Sequence, residues 1–266
     1  MIRLTEPRAW RALGAGLLLG AALAPRAALA QPTIPWPPHA MNRPRPPAVT
    51  PAPSAPLVAP PSDAIVLFDG RTLSAWRSDS TAPAKWKVQS GYAEIVPGSG
   101  EITTRRAFGS GQYHIEWASP SPATGKGQDR GNSGVFLMGR YEIQVLDSYR
   151  SETYPDGQAG AVYAQHPPLV NASRPPGRWQ SYDIIFHRPL FDQAGRLVRP
   201  ARVTMFHNGV LVQDDVELTG PVAHGSRPPY EAHADRLPLS LQDHGTRVRF
   251  RNIWVREIPD STAPRR

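Results

Sequence analysis

Between residues 63 and 258 apolar and polar side chains alternate with a period of two. Tyr113, Ile115 and Trp117 interleave with His114 and Glu116, and Tyr182, Ile184 and Phe186 with Asp183, Ile185 and His187. Alternation of this kind sends one set of side chains into a core and the other to the opposite face of a strand. Turn dipeptides punctuate the runs. Asn208-Gly209, between 203–207 and 210–216, is the strongest hairpin signal, and Ser90-Gly91 joins 86–89 to 92–96. Residues 239–242 and 248–257 are expected to pair across 243–246, and 64–68 is an apolar run ending at Asp69-Gly70. No stretch shows convincing helical periodicity, and there is no internal repeat. About a dozen short strands with turns between them predict an all-β sandwich or jelly roll.

The stretch from Arg130 to Ser148 carries the densest chemistry. It opens on Gly131-Asn132-Ser133-Gly134, a turn composition, and continues as two predicted strands, 135–138 and 141–146, joined by Gly139-Arg140. In the second strand Ile143 and Val145 face one way, Glu142 and Gln144 the other. A one-residue bulge after Gln144 would bring Asp147 onto the Glu142 face. The result is a row of hydrogen-bonding and titratable groups suited to sugar chemistry. A plain solvated strand face is the alternative. Three longer connections, 119–131, 148–177 (with a short strand at 160–163) and 219–238, are placed to carry binding function at the sheet rims.

Upstream of the domain the pattern changes. Arg3, Arg8 and Arg11 precede the apolar run 12–24, and Ala28-Leu29-Ala30 supplies small residues for cleavage before Gln31. The run is shorter than the ~20 residues needed to span a bilayer. Residues 1–30 are therefore expected to be a removed secretory signal, leaving no membrane attachment and a periplasmic or secreted protein. Proline recurs every few residues from 32 to 61, which predicts an extended, solvated, disordered linker over 31–62. The domain is expected over 63–258, with a flexible tail at 259–266. There is no cysteine, so no disulfide framework. The formal charge of +8 falls to +5 once Arg3, Arg8, Arg11, Arg26 and Glu6 are removed. The remaining charges are scattered among acids, and nothing indicates a nucleic-acid partner.

Six motifs in order, LFDGRTLSAW (67–76), GNSGVFL (131–137), YEIQVLDS (141–148), PPLVNASRPPGRWQSYDIIF (167–186), HNGVLVQD (207–214) and LQDHG with VRFRNIWVRE (241–257), resemble one bacterial family. It is the family of 3-keto-disaccharide (3-keto-glycoside) hydrolase domains. The resemblance runs through nearly all of 64–257 and implies a concanavalin A-like jelly-roll sandwich of two antiparallel sheets. It also implies an exported enzyme acting on 3-keto-glycosides, made by a partner glycoside 3-oxidoreductase. Glu142-x-Gln144-x-x-Asp147 further resembles the E-x-D-x-x-E strand of laminarinase-like retaining glucanases, but with Gln and Asp substituted. That mechanism needs two carboxyls ~5–5.5 Å apart.

A ketone at C3 acidifies the hydrogen at C2, so a base can remove it, the C1 substituent can leave, and water can add back. Such a site needs a base, enolate-stabilising donors and an acid for the leaving group. Glu142 or Asp147 is the expected base. His244 and Arg251 are the candidate polarising groups, with Asn132, Gln144 and Gln242 holding hydroxyls. Each has a plainer reading: His244 as a turn residue, Arg251 as the partner of an inter-strand acid, Asn132 as a turn cap. With Arg251 or His244 opposite, Glu142 is expected to be ionised near neutral pH. The loop residues His224, His233 and Asp235 are possible ligands, but their spacing is not that of a metal site, and no metal or cofactor is called for. A glycan-binding module without catalysis and a conventional retaining glucanase are the alternatives.

Overall fold

The computed structural model describes residues 33–53, 59–78 and 82–260, with residues 1 and 57 besides. The expected signal at 1–30 falls almost wholly outside the described residues. Among the described residues fifteen strands run β1 (Ile65–Phe68), β2 (Trp76–Ser78), β3 (Lys87–Gln89), β4 (Tyr92–Glu94), β5 (Ile102–Phe108), β6 (Gly111–Ala118), β7 (Ser133–Leu137) and β8 (Tyr141–Val145). They continue as β9 (Gln180–His187), β10 (Leu190–Phe191), β11 (Leu197–Arg199), β12 (Arg202–His207), β13 (Val210–Glu217), β14 (Leu237–Leu241) and β15 (Arg249–Glu257). Two single 3-10 turns, Gly127–Asp129 and Pro155–Gly157, interrupt the loops. No helix among the described residues is long and apolar enough to cross a membrane.

β10 and β11 pair with each other as a separate two-stranded ribbon, and the other thirteen strands form two antiparallel sheets. One has the order β13-β12-β9-β6-β15-β4-β3, with β1 added on β15; the other has the order β2-β5-β14-β7-β8. Period-two burial makes the core. Tyr113, Ile115 and Trp117 of β6 and Tyr182, Ile184 and Phe186 of β9 face Tyr141, Ile143 and Val145 of β8, and all are buried. The Tyr141 and Phe186 rings lie 5.7 Å apart across the two layers. Burying side chains of this size contributes about 1.5–3 kcal/mol each. The Tyr182 hydroxyl also donates across the core to the Gln144 carbonyl at 2.7 Å. The back of β8 is thereby pinned by the opposite sheet.

The hairpin signals at Ser90-Gly91 and Asn208-Gly209 form as expected, each pair with positive φ at both residues, the backbone a two-residue turn demands. The β7–β8 turn is centred one residue earlier than expected. Met138 and Gly139 take the positive φ values, and the Arg140 N–H closes the turn on the Leu137 carbonyl at 3.1 Å. The expected hairpin of 239–242 with 248–257 does not form. Strand β14 joins β5 and β7, whereas β15 lies in the other sheet with β6, β4 and β1. The connection crosses between layers, held by Asp243, which accepts from the N–H groups of Gly245 (2.9 Å) and Gly100 (3.1 Å).

Two further segments depart from expectation. The proline-rich stretch packs on the domain over residues 33–53. Val49 N–H donates to the Asn171 carbonyl and Asn171 N–H to the Pro47 carbonyl, both at 2.9 Å, while Arg174 reaches the Ala52 carbonyl at 2.9 Å. Proline removes donors, but its carbonyls still accept and the residues between prolines still donate. At the other end of the chain, Asp260 accepts from Ser110 (2.6 Å) and Arg188 (2.9 Å), so the expected tail is tied down there. The long connection after β8 pairs with two strands. Gly160 N–H bonds the Gln144 carbonyl and Tyr163 N–H the Glu142 carbonyl along β8, and Leu169 N–H bonds the Val212 carbonyl along β13.

Candidate active site

Register places one row of side chains, polar except for Phe136, across the outer face of the five-stranded sheet. Thr103 of β5 pairs with Ser240 of β14, Ser240 with Phe136 of β7, and Phe136 with Glu142 of β8. Directly paired residues share a face, so the row ends on the Glu142 carboxyl and is extended by Tyr163, whose N–H bonds the Glu142 carbonyl. Gly134 lies diagonally beside Glu142. A Cβ there would stand 2.5 Å from Glu142 Oε1 and 2.6 Å from the Phe136 ring, so only glycine leaves the carboxyl its place.

Glu142 is 6% exposed. Burial alone pushes its carboxyl up from 4.5 to about 8, and no cation or donor among the described residues pulls it back. The group is therefore mostly protonated at neutral pH. This reverses the expected charge state, because neither expected counter-charge is present. Arg251 lies in the other sheet, where its Nε and Nη2 bond the Glu116 carboxylate at 2.7 Å and its guanidinium covers the Trp179 ring at 4.2 Å. His244 is an exposed turn residue.

Two tyrosines lie nearest the Glu142 carboxyl along this row, and two imidazoles pack on them in turn. Tyr154 and Tyr163 share a hydrogen bond of 2.8 Å between their hydroxyls, and His224 Nδ1 lies 3.4 Å from the Tyr163 hydroxyl. Burial raises both phenols, and the Glu142 charge raises them further, so both stay protonated as donors. His39 stacks on Tyr154 with ring centroids 4.1 Å apart. Below them Asp156 is fully buried. It accepts the His39 N–H at 3.2 Å and faces Arg43 at 3.8 Å and Arg227 at 3.7 Å.

The remaining expected residues are distributed as follows. Gln144 shares the Glu142 face, and its amide donates to Gln128 Oε1 and Asn132 Oδ1, both at 3.1 Å. Asn132 in turn donates to the Gln128 carbonyl at 2.8 Å. The two amides brace each other and the 3-10 turn, and only Gln144 Oε1 is left enclosed without a partner. Gln242 continues the face beyond Ser240, its N–H on the Gly134 carbonyl at 3.0 Å and its Oε1 likewise enclosed and unpartnered. Asp147 does not join the row. The β7–β8 register runs unbroken to Ser133↔Val145, with no bulge, and Asp147 turns away to accept from Arg130 Nε at 2.8 Å and from the Tyr149 N–H at 3.2 Å. The loop group does not converge either, since His233 bonds the Tyr141 hydroxyl (2.8 Å) and Asp235 bonds Arg188 (2.6 Å). Among the described residues no three His, Asp or Glu side chains are grouped to hold a metal ion.

Sequence reasoning missed Tyr154, Tyr163, His39, Asp156, Arg43 and Arg227. The only signal for the first two was their place in a long connection beside the key strand.

A concanavalin A-like jelly-roll sandwich with a sequestered carboxyl and tyrosine hydroxyls on one sheet face has the build of a carbohydrate-active enzyme. The chain belongs to the family of 3-keto-α-glucoside-1,2-lyase-like domains, whose model matches residues 63–256. A 3-keto-disaccharide hydrolase of Bacteroides thetaiotaomicron is 23% identical over 245 residues, covering 73% of this chain and 78% of that one. A proposed glycosyl hydrolase of Parabacteroides distasonis, known from its crystal structure, is 43% identical with a TM-score of 0.74. That match covers 81% of this chain and 93% of the other. A second structure from the same organism, 19% identical with a TM-score of 0.51, covers 74% and 94% and shares the fold.

Proposed function

We propose that this protein cleaves 3-keto-glycosides at C1, by proton abstraction at C2, β-elimination and hydration. The observation that carries the reading is Glu142, a buried carboxyl without a partner on the polar face of a domain from this family. A base with its pKa near 8 is a stronger proton acceptor than an ordinary carboxylate, and still reaches its ionised form near neutral pH.

In the first step ionised Glu142 takes the C2 proton. The C–H electron pair becomes the C2=C3 bond, and the carbonyl pair moves onto the C3 oxygen. A phenol of the Tyr154–Tyr163 pair supplies the donor for that enolate oxygen. The enolate pair then returns, C1=C2 forms, and the C1–O bond breaks with its electrons on the leaving oxygen, which receives the proton from Glu142. Water adds across C1=C2, hydroxyl to C1 and hydrogen to C2, and gives the free 3-keto sugar. The substrate would come from an oxidoreductase that oxidises glycosides at C3. The signal-like residues 1–30 support export to the periplasm or beyond.

The test is release of 3-keto sugar from a 3-keto-glycoside by the purified protein, with the unoxidised glycoside run beside it. Turnover of the keto substrate alone is expected, with kcat/KM rising with pH until it levels above about 8. Binding of unmodified glycans without turnover, or hydrolysis of the plain glycoside, would overturn the reading.

A further inference from the structure

The family match begins at residue 63, yet one ring of the cluster beside Glu142 comes from well upstream. We infer that the proline-rich segment is a working part of the active site, with His39 a positioning residue that holds the Tyr154–Tyr163 pair against Glu142. This rests on the reading of Glu142 as the base.

The geometry makes the case in three parts. First, the His39 ring does not merely touch the site. It stacks on Tyr154 at 4.1 Å with 21° between the planes, and lies 5.2 Å from both Tyr163 and His224. It backs the very phenol that bonds Tyr163. Second, the segment is fastened on both sides of His39. Arg227 donates to the Trp36 carbonyl at 2.7 Å, His39 N–H bonds Asp156, and Arg43 donates to the Gln165 carbonyl at 3.0 Å. These contacts join the segment to two loops, 148–177, which pairs with β8 at Glu142, and 219–238, which brings His224 to the Tyr163 hydroxyl. Third, the backbone at His39 takes φ 61°, a left-handed conformation that costs energy for a residue other than glycine. That turn is what carries the ring inward from a chain of prolines.

The ring is neutral, since burial lowers its pKa and His224 and Arg227 lower it further, against the opposing pull of Asp156. Its Nε2 is enclosed with no hydrogen-bond partner. A ring that serves by stacking has no use for that nitrogen. Phenylalanine should therefore replace it, whereas a small side chain should leave Tyr154 unsupported.

The experiment measures kcat, KM and Tm for the full chain and for His39→Asn, His39→Phe and Glu142→Gln, on a 3-keto-glycoside. Asparagine tolerates the left-handed backbone but has no ring. For His39→Asn we expect kcat to fall about 10-fold with KM changed less than about 3-fold, as for a misplaced donor. His39→Phe should restore kcat to within about 3-fold of the parent. Unchanged kcat in His39→Asn, or a His39→Phe as slow as His39→Asn, overturns the inference while Glu142→Gln remains inactive. An active Glu142→Gln instead removes the underlying reading of the base, and the inference with it. Should His39→Asn not fold, Arg43→Glu drives the segment off by setting a second carboxylate against Asp156. Unchanged kcat in that variant overturns the inference equally.

Discussion

Of the glutamates on strands of this sandwich two, Glu142 and Glu116, are nearly buried, and their surroundings give them opposite chemistry. Glu142 on β8 meets no counter-charge and is pushed up to about 8 by burial. Glu116 on β6 is 7% exposed, and burial acts on it in the same direction. There, however, His114 stands 3.6 Å from the carboxylate and Asn252 and Arg251 bond it, and together they bring its pKa below 4.5. A bulge in β15 between Arg251 and Trp254 lets neighbouring residues, Arg251 and Asn252, reach the same carboxylate. The difference separates a structural acid from a reactive one. Burial is common to both, and only the unsatisfied group keeps its proton chemistry available.

The largest expected effect breaks the pair at its reactive member. Glu142→Gln should lower kcat ~10²–10⁴-fold. It should also stabilise the fold at alkaline pH. With the folded pKa raised from 4.5 to about 8, the native state holds a proton that the unfolded state has lost, so stability falls as pH rises through that window. Glutamine abolishes that loss, on the order of a few kcal/mol at pH 8.5. Turnover together with urea unfolding at pH 5 and pH 8.5 checks both halves.

Next in size is Gly134→Ala, whose Cβ would displace Glu142 Oε1 from 2.5 Å away. We expect kcat to fall ~10–100-fold and stability by about 1–3 kcal/mol, read from kinetics and a melting curve. Arg251→Ala should cost about 1–3 kcal/mol by stripping Glu116 of its guanidinium, while kcat stays within about twofold. A loss of turnover with normal stability would return Arg251 to the site. The same cluster has an alkaline limit of its own. His114 is held up at about 9, in spite of its burial, by its bond to Asp183 and the Glu116 carboxylate 3.6 Å away, so its contribution is whole below pH 6.5 and is lost as pH rises through 9. His114→Gln should flatten unfolding free energy across that range. The smallest effect belongs to the exposed His244. His244→Ala should leave stability within about 0.5 kcal/mol and kcat within about twofold.

Period-two alternation and glycine-containing turns were enough to read the sandwich, and strand parity was enough to find the Glu142 face. The charge state of Glu142 was not legible, and one error of topology explains why. Pairing 239–242 with 248–257 across a short turn would have brought Arg251 and His244 to Glu142. The chain instead crosses between sheets at 242–248, which sends Arg251 to Glu116 and leaves His244 in solvent. Strand patterns report which face a residue occupies, but not which sheet receives the strand. Asp147 shows the same limit on a smaller scale, because no local signal distinguishes a bulge from a strand that ends at Val145. The tyrosines and His39 escaped notice for another reason. They sit in irregular segments fixed by contacts far apart in sequence, such as Arg227 with Trp36, for which periodicity offers no guide.

The long connection after β8 has a consequence beyond catalysis. β8 is the last strand of its sheet and β13 the last of the other, and each would otherwise present a row of unpaired backbone groups ready to recruit a second molecule. Residues 160–163 occupy the first margin and Leu169 the second, so a single loop insulates both sheets from self-association on that side of the sandwich. Lesions that loosen it should therefore appear as loss of colloidal stability, with aggregates seeded by exposed strands, even where the core itself is untouched.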